Sequence, residues 1–256
     1  MNNNVTDLLN TNHVKLLFSI FEKNSADIRL VGGCIRDALM NREIKDIDTA
    51  TKIEPQEVLN LLENNNIEYD DFAIQYGSII SYPLNTKIQI TTLREDINQL
   101  GRHTNVIYTT DWKKDAARRD FTFNALYVGS NNKIYDYYNG QDHLTENKIK
   151  FIGEIEDRIK EDYLRIYRYF RFLGLFDLPK ITLSDQKIVE KYIHESLAVL
   201  TNDVIRQEVL KMFNMPYPLN CFYRSNVKFK WVEIVKEHFI KTKYDLGLNK
   251  CLNKID

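Results

Sequence analysis

Three clusters of side chains have the types and spacing to handle phosphate together with a divalent cation. The first is Asp46-Ile47-Asp48. On a strand, residues two apart face the same way, so both carboxylates point to one side while Ile47 points to the other, toward a core. Two carboxylates that close repel each other unless a cation sits between them. Mg²⁺, which takes carboxylate oxygens together with substrate phosphates, suits the pair. About a dozen residues earlier, the run LVGGCIRDALM (30–40) places Gly32-Gly33 between a strand and a helix. Small residues there let backbone N–H groups approach an anion at a helix N-terminus, and Arg36 adds a fork of donors for phosphate oxygens. Taken singly, a Gly-Gly is also an ordinary tight turn, and an Asp-x-Asp is also a solvated edge. Together they describe nucleotidyl transfer. Phosphates rest on the glycine turn, and metal held by two aspartates activates a hydroxyl and steadies a leaving pyrophosphate.

The second cluster is DWKKDAARRDFTFNAL (111–126), where Lys113, Lys114, Arg118 and Arg119 form a basic patch with Asp115 and Asp120 interleaved. By itself it reads as a charged helix start. The third is EDYLRIYRYFRFL (161–173). At ~100° per residue, Tyr163, Ile166, Tyr167, Phe170 and Leu173 share one stripe. Arg165, Arg168 and Arg171 fall on the opposite side, with Asp162 at the border and Leu164 and Phe172 among the arginines. Three arginines with few carboxylates one turn away repel one another, so the face is either solvated or seeks an anion.

Hydrophobic period and punctuation set out the elements that must position these clusters. Helices are predicted at 14–22, 34–40 and 55–64, with Pro55 in the first turn. Strands are predicted at 28–31, 46–50, 67–70, 78–82 and 87–94. From about residue 155 the pattern turns helical, at 155–174, 184–198, 202–213 and 228–243. The expected organisation is a mixed α/β unit over 1–148 and a helical remainder over 149–256.

Composition bounds the function. Of 256 residues, 43% are hydrophobic, enough for a core. A net charge of −1 excludes a general polycation, so contact with nucleic acid must be local. Three cysteines without CxxC spacing imply neither a disulfide scaffold nor a cysteine zinc site. The five histidines show no metal spacing. No run approaches the ~18 apolar residues of a membrane span. The Asn-rich start, which carries Asp7, is unlike a secretory or transit peptide, so the cytoplasm is the expected location.

The three runs, in this order, resemble the signatures of the class II tRNA nucleotidyltransferase and bacterial poly(A) polymerase family, in the polymerase-β superfamily. The first is similar to LVGGxVRDxLLGxxxxDxDxxT. It keeps Gly32, Gly33, Arg36, Asp37, Asp46, Asp48 and Thr51, and departs at Ile35 and Asn41. The second is similar to RRDxTxNA through Arg119, Asp120, Thr122, Asn124 and Ala125, and the third to EDxxRxxRxxRF. The resemblance implies an α+β fold: a polymerase-β-like head of mixed sheet and helices, then an all-helical neck and a shortened body for nucleotide selection and tRNA binding. It also implies roles. Asp46 and Asp48 are catalytic and hold Mg²⁺, two ions being expected. Gly33 and Arg36 cradle the triphosphate, and Arg119 and Asp120 position sugar and phosphate. Asp162 and Arg165 read the base edge of CTP or ATP, supported by Arg168 and Arg171.

The activity implied is template-independent addition of CCA to the 3′ end of tRNA, by a monomer that grips the acceptor end. A-adding, CC-adding and poly(A)-synthesising enzymes stay open, as does a weakly active tRNA-binding module. Two departures matter. Gln89 stands in IQITTLR (88–94) where relatives carry a carboxylate, and Gln cannot act as a base. The helical region is also short. Its segment 201–256, with ten Lys and Arg against six Asp and Glu and with Phe229, Trp231 and Phe239 interleaved, either contacts RNA or is a solvated helix with a core-facing side.

Overall fold

The computed structural model describes residues 3–100, 103–244 and 246–253. Gly101 and Arg102, and within the basic segment 201–256 Asp245 and the last three residues, lie outside the described residues. The chain divides into two compact units, Met1–Asn98 with Thr104–Leu144, and Thr145–Asp256 with Gln99–His103.

The first unit begins with helices α1 (Asn3–Leu9) and α2 (Asn12–Lys23). In α2, Val14, Leu17, Phe18 and Phe21 recur at helical spacing and are all buried, which is what holds so short a helix in place. Strand β1 (Ile28–Val31) is buried throughout and turns at Gly32 into helix α3 (Gly33–Leu39). Next come β2 (Ile47–Thr51), α4 (Pro55–Asn64), β3 (Tyr69–Asp70), β4 (Ser78–Ser81) and β5 (Ile88–Thr92). Strands β6 (Arg94–Leu100) and β7 (His103–Tyr108) pair with each other, an extension that periodicity did not reveal. Helix α5 (Trp112–Ala117), β8 (Leu126–Val128), β9 (Ile134–Asp136) and α6 (Gly140–Thr145) follow.

Seven strands form one mixed sheet in the order β3-β4-β5-β2-β1-β8-β9, with β2 and β5 parallel and every other neighbour antiparallel. This register gathers the motifs. Because β1 runs against β2, its exit into the glycine turn lies beside the entry to β2, Leu30 facing Thr49. Because β1 also runs against β8, Val31 faces Tyr127, and the Gly32 N–H donates to the Leu126 carbonyl at 3.1 Å. Because β5 runs with β2, Asp48 lies beside Gln89. Residues far apart in sequence thus meet at one end of the sheet.

The second unit carries α7 (Ile155–Glu161), α8 (Leu164–Leu173), α9 (Leu183–Lys191), α10 (Ile193–Val199), α11 (Asn202–Phe213), β10 (Tyr223–Arg224), β11 (Val227–Lys228), α12 (Lys230–Lys241) and α13 (Leu246–Asn253). Three expectations need correction. Segment 184–198 is two helices, α9 and α10, parted at Tyr192. The unit is not wholly helical: Ser225 and Asn226, both at positive φ, turn a two-residue hairpin between β10 and β11. Nor is 155–174 one helix. Asp162 is extended (φ −149°, ψ 104°), and its Oδ1 accepts the Leu164 N–H at 3.0 Å, so a local Asx bond ends α7 and starts α8. The core of this unit includes Tyr167, Phe170, Phe222, Phe229 and Trp231, all almost wholly buried. No helix among the described residues is long and apolar enough to cross a membrane.

Candidate active site

Gly32 has φ +79° and ψ −127°, a conformation that a side chain would strain. A Cβ there would stand 3.4 Å from Nη1 of Arg119, so the guanidinium of the second motif lies over the glycine turn of the first. Arg36, one turn into α3, is fixed on two sides. Its Nε and Nη2 donate to Asp37 at 3.0 and 2.8 Å, and Nη1 donates to Asn124 Oδ1 at 2.7 Å. Asn124 is in turn held by Asp120, whose Oδ1 accepts from Asn124 Nδ2 at 3.0 Å and from the Phe121 N–H at 2.7 Å. Asp120 is buried, and one of its oxygens is committed to this internal relay.

Arg119 is anchored by residues that the motif pattern passed over. Its Nε donates to the Tyr127 hydroxyl at 3.1 Å, and Nη2 donates to Asp115 at 3.2 Å. Asp115 is wholly buried. It accepts from Arg118 at 2.8 Å and from the Tyr127 hydroxyl at 2.6 Å. Burial opposes its charge, but the two guanidiniums and the tyrosine outweigh that and bring the carboxyl down to about 2. The supposed charged helix start is therefore a buried ionic hub. Its signal in the sequence was the spacing of Asp115, three residues before Arg118 and four before Arg119, which is one helical turn.

Asp46 is exposed just before β2, and Asp48 is half-buried on it. With Ile47, Lys87 and Gln89 they line a cavity of about 200 Å³. Burial raises the Asp48 carboxyl above its ordinary value, and the charge of Asp46 pushes the same way; Arg119, Lys87 and Arg36 pull it back. The interaction with Arg119 and Arg36 places the carboxylate within electrostatic reach of the arginines beside the glycine turn. The oxygen donors in the cavity suit Mg²⁺ rather than a soft metal. No group of three His, Cys, Asp or Glu capable of holding a metal occurs among the described residues. Two carboxylates leave further coordination positions for water and substrate phosphates, as Mg²⁺ prefers. Cys34 is a packed thiol: it donates to the Val31 carbonyl at 3.3 Å, and burial pushes it up to about 12.

In the second unit, the expectation of arginines short of carboxylates is overturned. Arg165 is 6% exposed, and its Nη1 donates to Glu161 at 2.7 Å and to the Arg158 carbonyl at 2.8 Å. Arg171 pairs at 2.8 Å with the buried Glu208 of α11. Arg168 lies 5.5 Å from the Phe172 ring centre and Arg171 4.6 Å, so the phenylalanine that spoiled the polar face is a platform for two guanidiniums. The helical wheel misled because α8 is packed on most of its circumference, Tyr169 and Phe172 included.

Residues 28–150 match the model of the poly A polymerase head domain. Among curated proteins, the chain is similar to human mitochondrial CCA tRNA nucleotidyltransferase 1, 40% identical over 171 residues, 66% of this chain and 39% of the relative. It is also similar to the CCA-adding enzyme of Staphylococcus haemolyticus, 36% identical over 219 residues, 80% of this chain and 54% of the relative. The chain spans about half the length of these relatives or less. Among solved structures it resembles the Bacillus stearothermophilus CCA-adding enzyme in complex with CTP (TM-score 0.73, 23% identity, 82% of this chain, 50% of that one). It also resembles the Thermotoga maritima CCA-adding enzyme complexed with tRNA (TM-score 0.70, 21% identity, 93% of this chain, 55% of that one). These likenesses establish the α+β fold, a mixed sheet with helices. Residues 28–150 thus resemble the poly A polymerase head domain, and the chain is similar to CCA-adding enzymes, consistent with the class II nucleotidyltransferases that its motifs resemble.

Proposed function

We propose that the chain catalyses template-independent addition of CCA, from CTP and ATP, to the 3′ end of tRNA. The observation that carries this is the sheet end where the glycine turn, Arg36, Arg119 and the pair Asp46 and Asp48 are gathered. The activities for which the relatives are named point the same way.

In this reading the first unit does the chemistry. Gly33 and Arg36 cradle the triphosphate, with Arg36 kept in aim by Asp37 and Asn124. Arg119 and Asp120 position the sugar and phosphates, Arg119 being fixed by Asp115 and Tyr127. Asp46 and Asp48 would hold Mg²⁺, which supplies activation of the attacking hydroxyl and charge neutralisation at the leaving pyrophosphate. The RNA 3′-hydroxyl attacks the α-phosphorus in line, and no covalent enzyme intermediate is needed. The second unit, set at 149–256, selects the nucleotide through Asp162 and Arg165, supported by Arg168 and Arg171, and contacts tRNA. A wrong base leaves buried polar groups unpaired, at about 1–3 kcal/mol each. A monomer is expected. The compartment belongs to the proposal too: a cytoplasmic setting is the expectation, vertebrate relatives are named mitochondrial, and fractionation of source cells decides between them.

The test is incorporation into tRNA ending before CCA, after C75 or at A76, with CTP and ATP singly and together in Mg²⁺. Completion to CCA and then arrest is expected. Addition of A alone, CC alone or a long A tail would reassign the chain within the family. RNA binding with no incorporation would make it a capture module.

A further inference from the structure

A second cavity of about 540 Å³ adjoins the aspartate cavity and shares Ile47 and Lys87 with it. That volume is in the range of small-ligand pockets and accommodates a nucleotide unit. Its wall is built by α1, the start of α2, the segment that follows α3 and the residues before β5. Arg42, Lys45 and Lys87 line it with His13, against a single acid, Asp7, while Leu8 and Ile44 supply an apolar part. Among the described residues, Nε2 of His13 is buried with no hydrogen-bond partner, and Nη1 of Arg42, 3.5 Å from Asp37, makes no hydrogen bond. The cavity thus pairs an excess of cations with a surface on which a base or ribose can lie, the combination that single-stranded nucleic acid requires.

Gly33, Arg36 and Arg119 do not line this cavity. In an in-line displacement the attacking oxygen and the leaving pyrophosphate sit on opposite sides of the phosphorus. The strand bearing the attacking hydroxyl must therefore reach Asp46 and Asp48 from a side other than that of the triphosphate. We infer that this cavity seats the 3′-terminal nucleotide of the RNA strand, with Lys45 and Lys87 on its phosphates and the apolar wall under its base or ribose. The assignment rests on the nucleotidyl-transfer reading of the aspartate pair.

Lys45 is the residue to change, because it is exposed and lines this cavity only, whereas Lys87 lines both. The measurement is anisotropy of a fluorescent tRNA lacking CCA, titrated with the full chain without nucleotide between about 50 and 200 mM salt. Lys45→Ala is expected to weaken binding severalfold and to shrink the slope of log K on log salt by about 0.7–0.9, one phosphate contact. Lys45→Arg is expected to restore both. In steady-state incorporation, the KM for RNA should rise while the KM for CTP stays put. Unchanged RNA affinity and slope in Lys45→Ala would overturn the assignment, as would a rise confined to the KM for CTP. A chain that binds RNA through Lys45 yet incorporates nothing would remove the proposed activity and leave the cavity standing. Normal incorporation with RNA binding indifferent to Lys45 would do the reverse.

Discussion

The two arginine-bearing regions solve opposite electrostatic problems. In the first unit, the cations are aimed. Arg36 and Arg119 are gripped from behind by Asp37, Asn124, Asp115 and Tyr127, and both still act on Asp48 across the site. In α8 the cations are largely neutralised where they stand, Arg165 by Glu161 and Arg171 by Glu208. A motif of alternating arginines therefore does not by itself mean a charged surface awaiting an anion. It means a set of donors whose directions are decided by the carboxylates that neighbouring turns supply.

The sharpest way to break this contrast is at Asp48. Asp48→Asn should cut incorporation by on the order of 10³-fold, with the thermal midpoint held or raised, since a group that burial disfavours has been made neutral. A variant that keeps its activity would remove the first region from the chemistry.

Next in size is Asp115→Asn, which leaves the partly buried Arg118 and Arg119 without their carboxylate. A loss of about 3–5 kcal/mol is expected in urea unfolding. The sign with pH follows from the depressed carboxyl. The folded-state value of about 2 lies below the ordinary 3.8, so the contribution is complete above about 4 and is lost as pH falls toward 2. Stability of the wild type should drop across that window, and the variant's curve should be flatter there. Identical curves would mean that the hub does not hold Arg119 by charge.

In the second unit, Glu208→Gln alone should cost about 3 kcal/mol, whereas Glu208→Met with Arg171→Met should recover most of it, because the two charges are removed together. The same pair sharpens the functional question. Restored stability with a raised KM for nucleotide means that Arg171 also reaches substrate, and restoration of both means that it is structural. The smallest effect expected is at Gln89, beside Asp48 in the sheet. Gln89→Glu adds a third oxygen anion to the cavity and should raise the rate severalfold or lower the Mg²⁺ concentration needed. No change in either would show that the amide costs the site nothing.

Much of this molecule is legible one residue at a time. The spacing of Asp46 and Asp48 was readable because strand alternation is local, and the Gly32 turn because a positive φ is a property of one residue. Helix α2 and the buried strand β1 follow from period and composition. Asp162 shows where that logic stops: a single side-chain bond to the Leu164 N–H broke a helix that hydrophobic period extended through it.

What no local pattern contained was partnership. That Arg36 leans on Asn124, that Arg119 lies over Gly32, and that Gln89 stands beside Asp48 depend on the order and direction of strands in the sheet. The burial of Arg165 and Glu208, which periodicity assigned to a polar face or left unplaced, depends instead on how the helices of the second unit pack. The physical reason is range. Backbone preference and side-chain alternation act over a few residues, whereas burial of charge and the hydrogen bonds that permit it are settled only when distant segments pack.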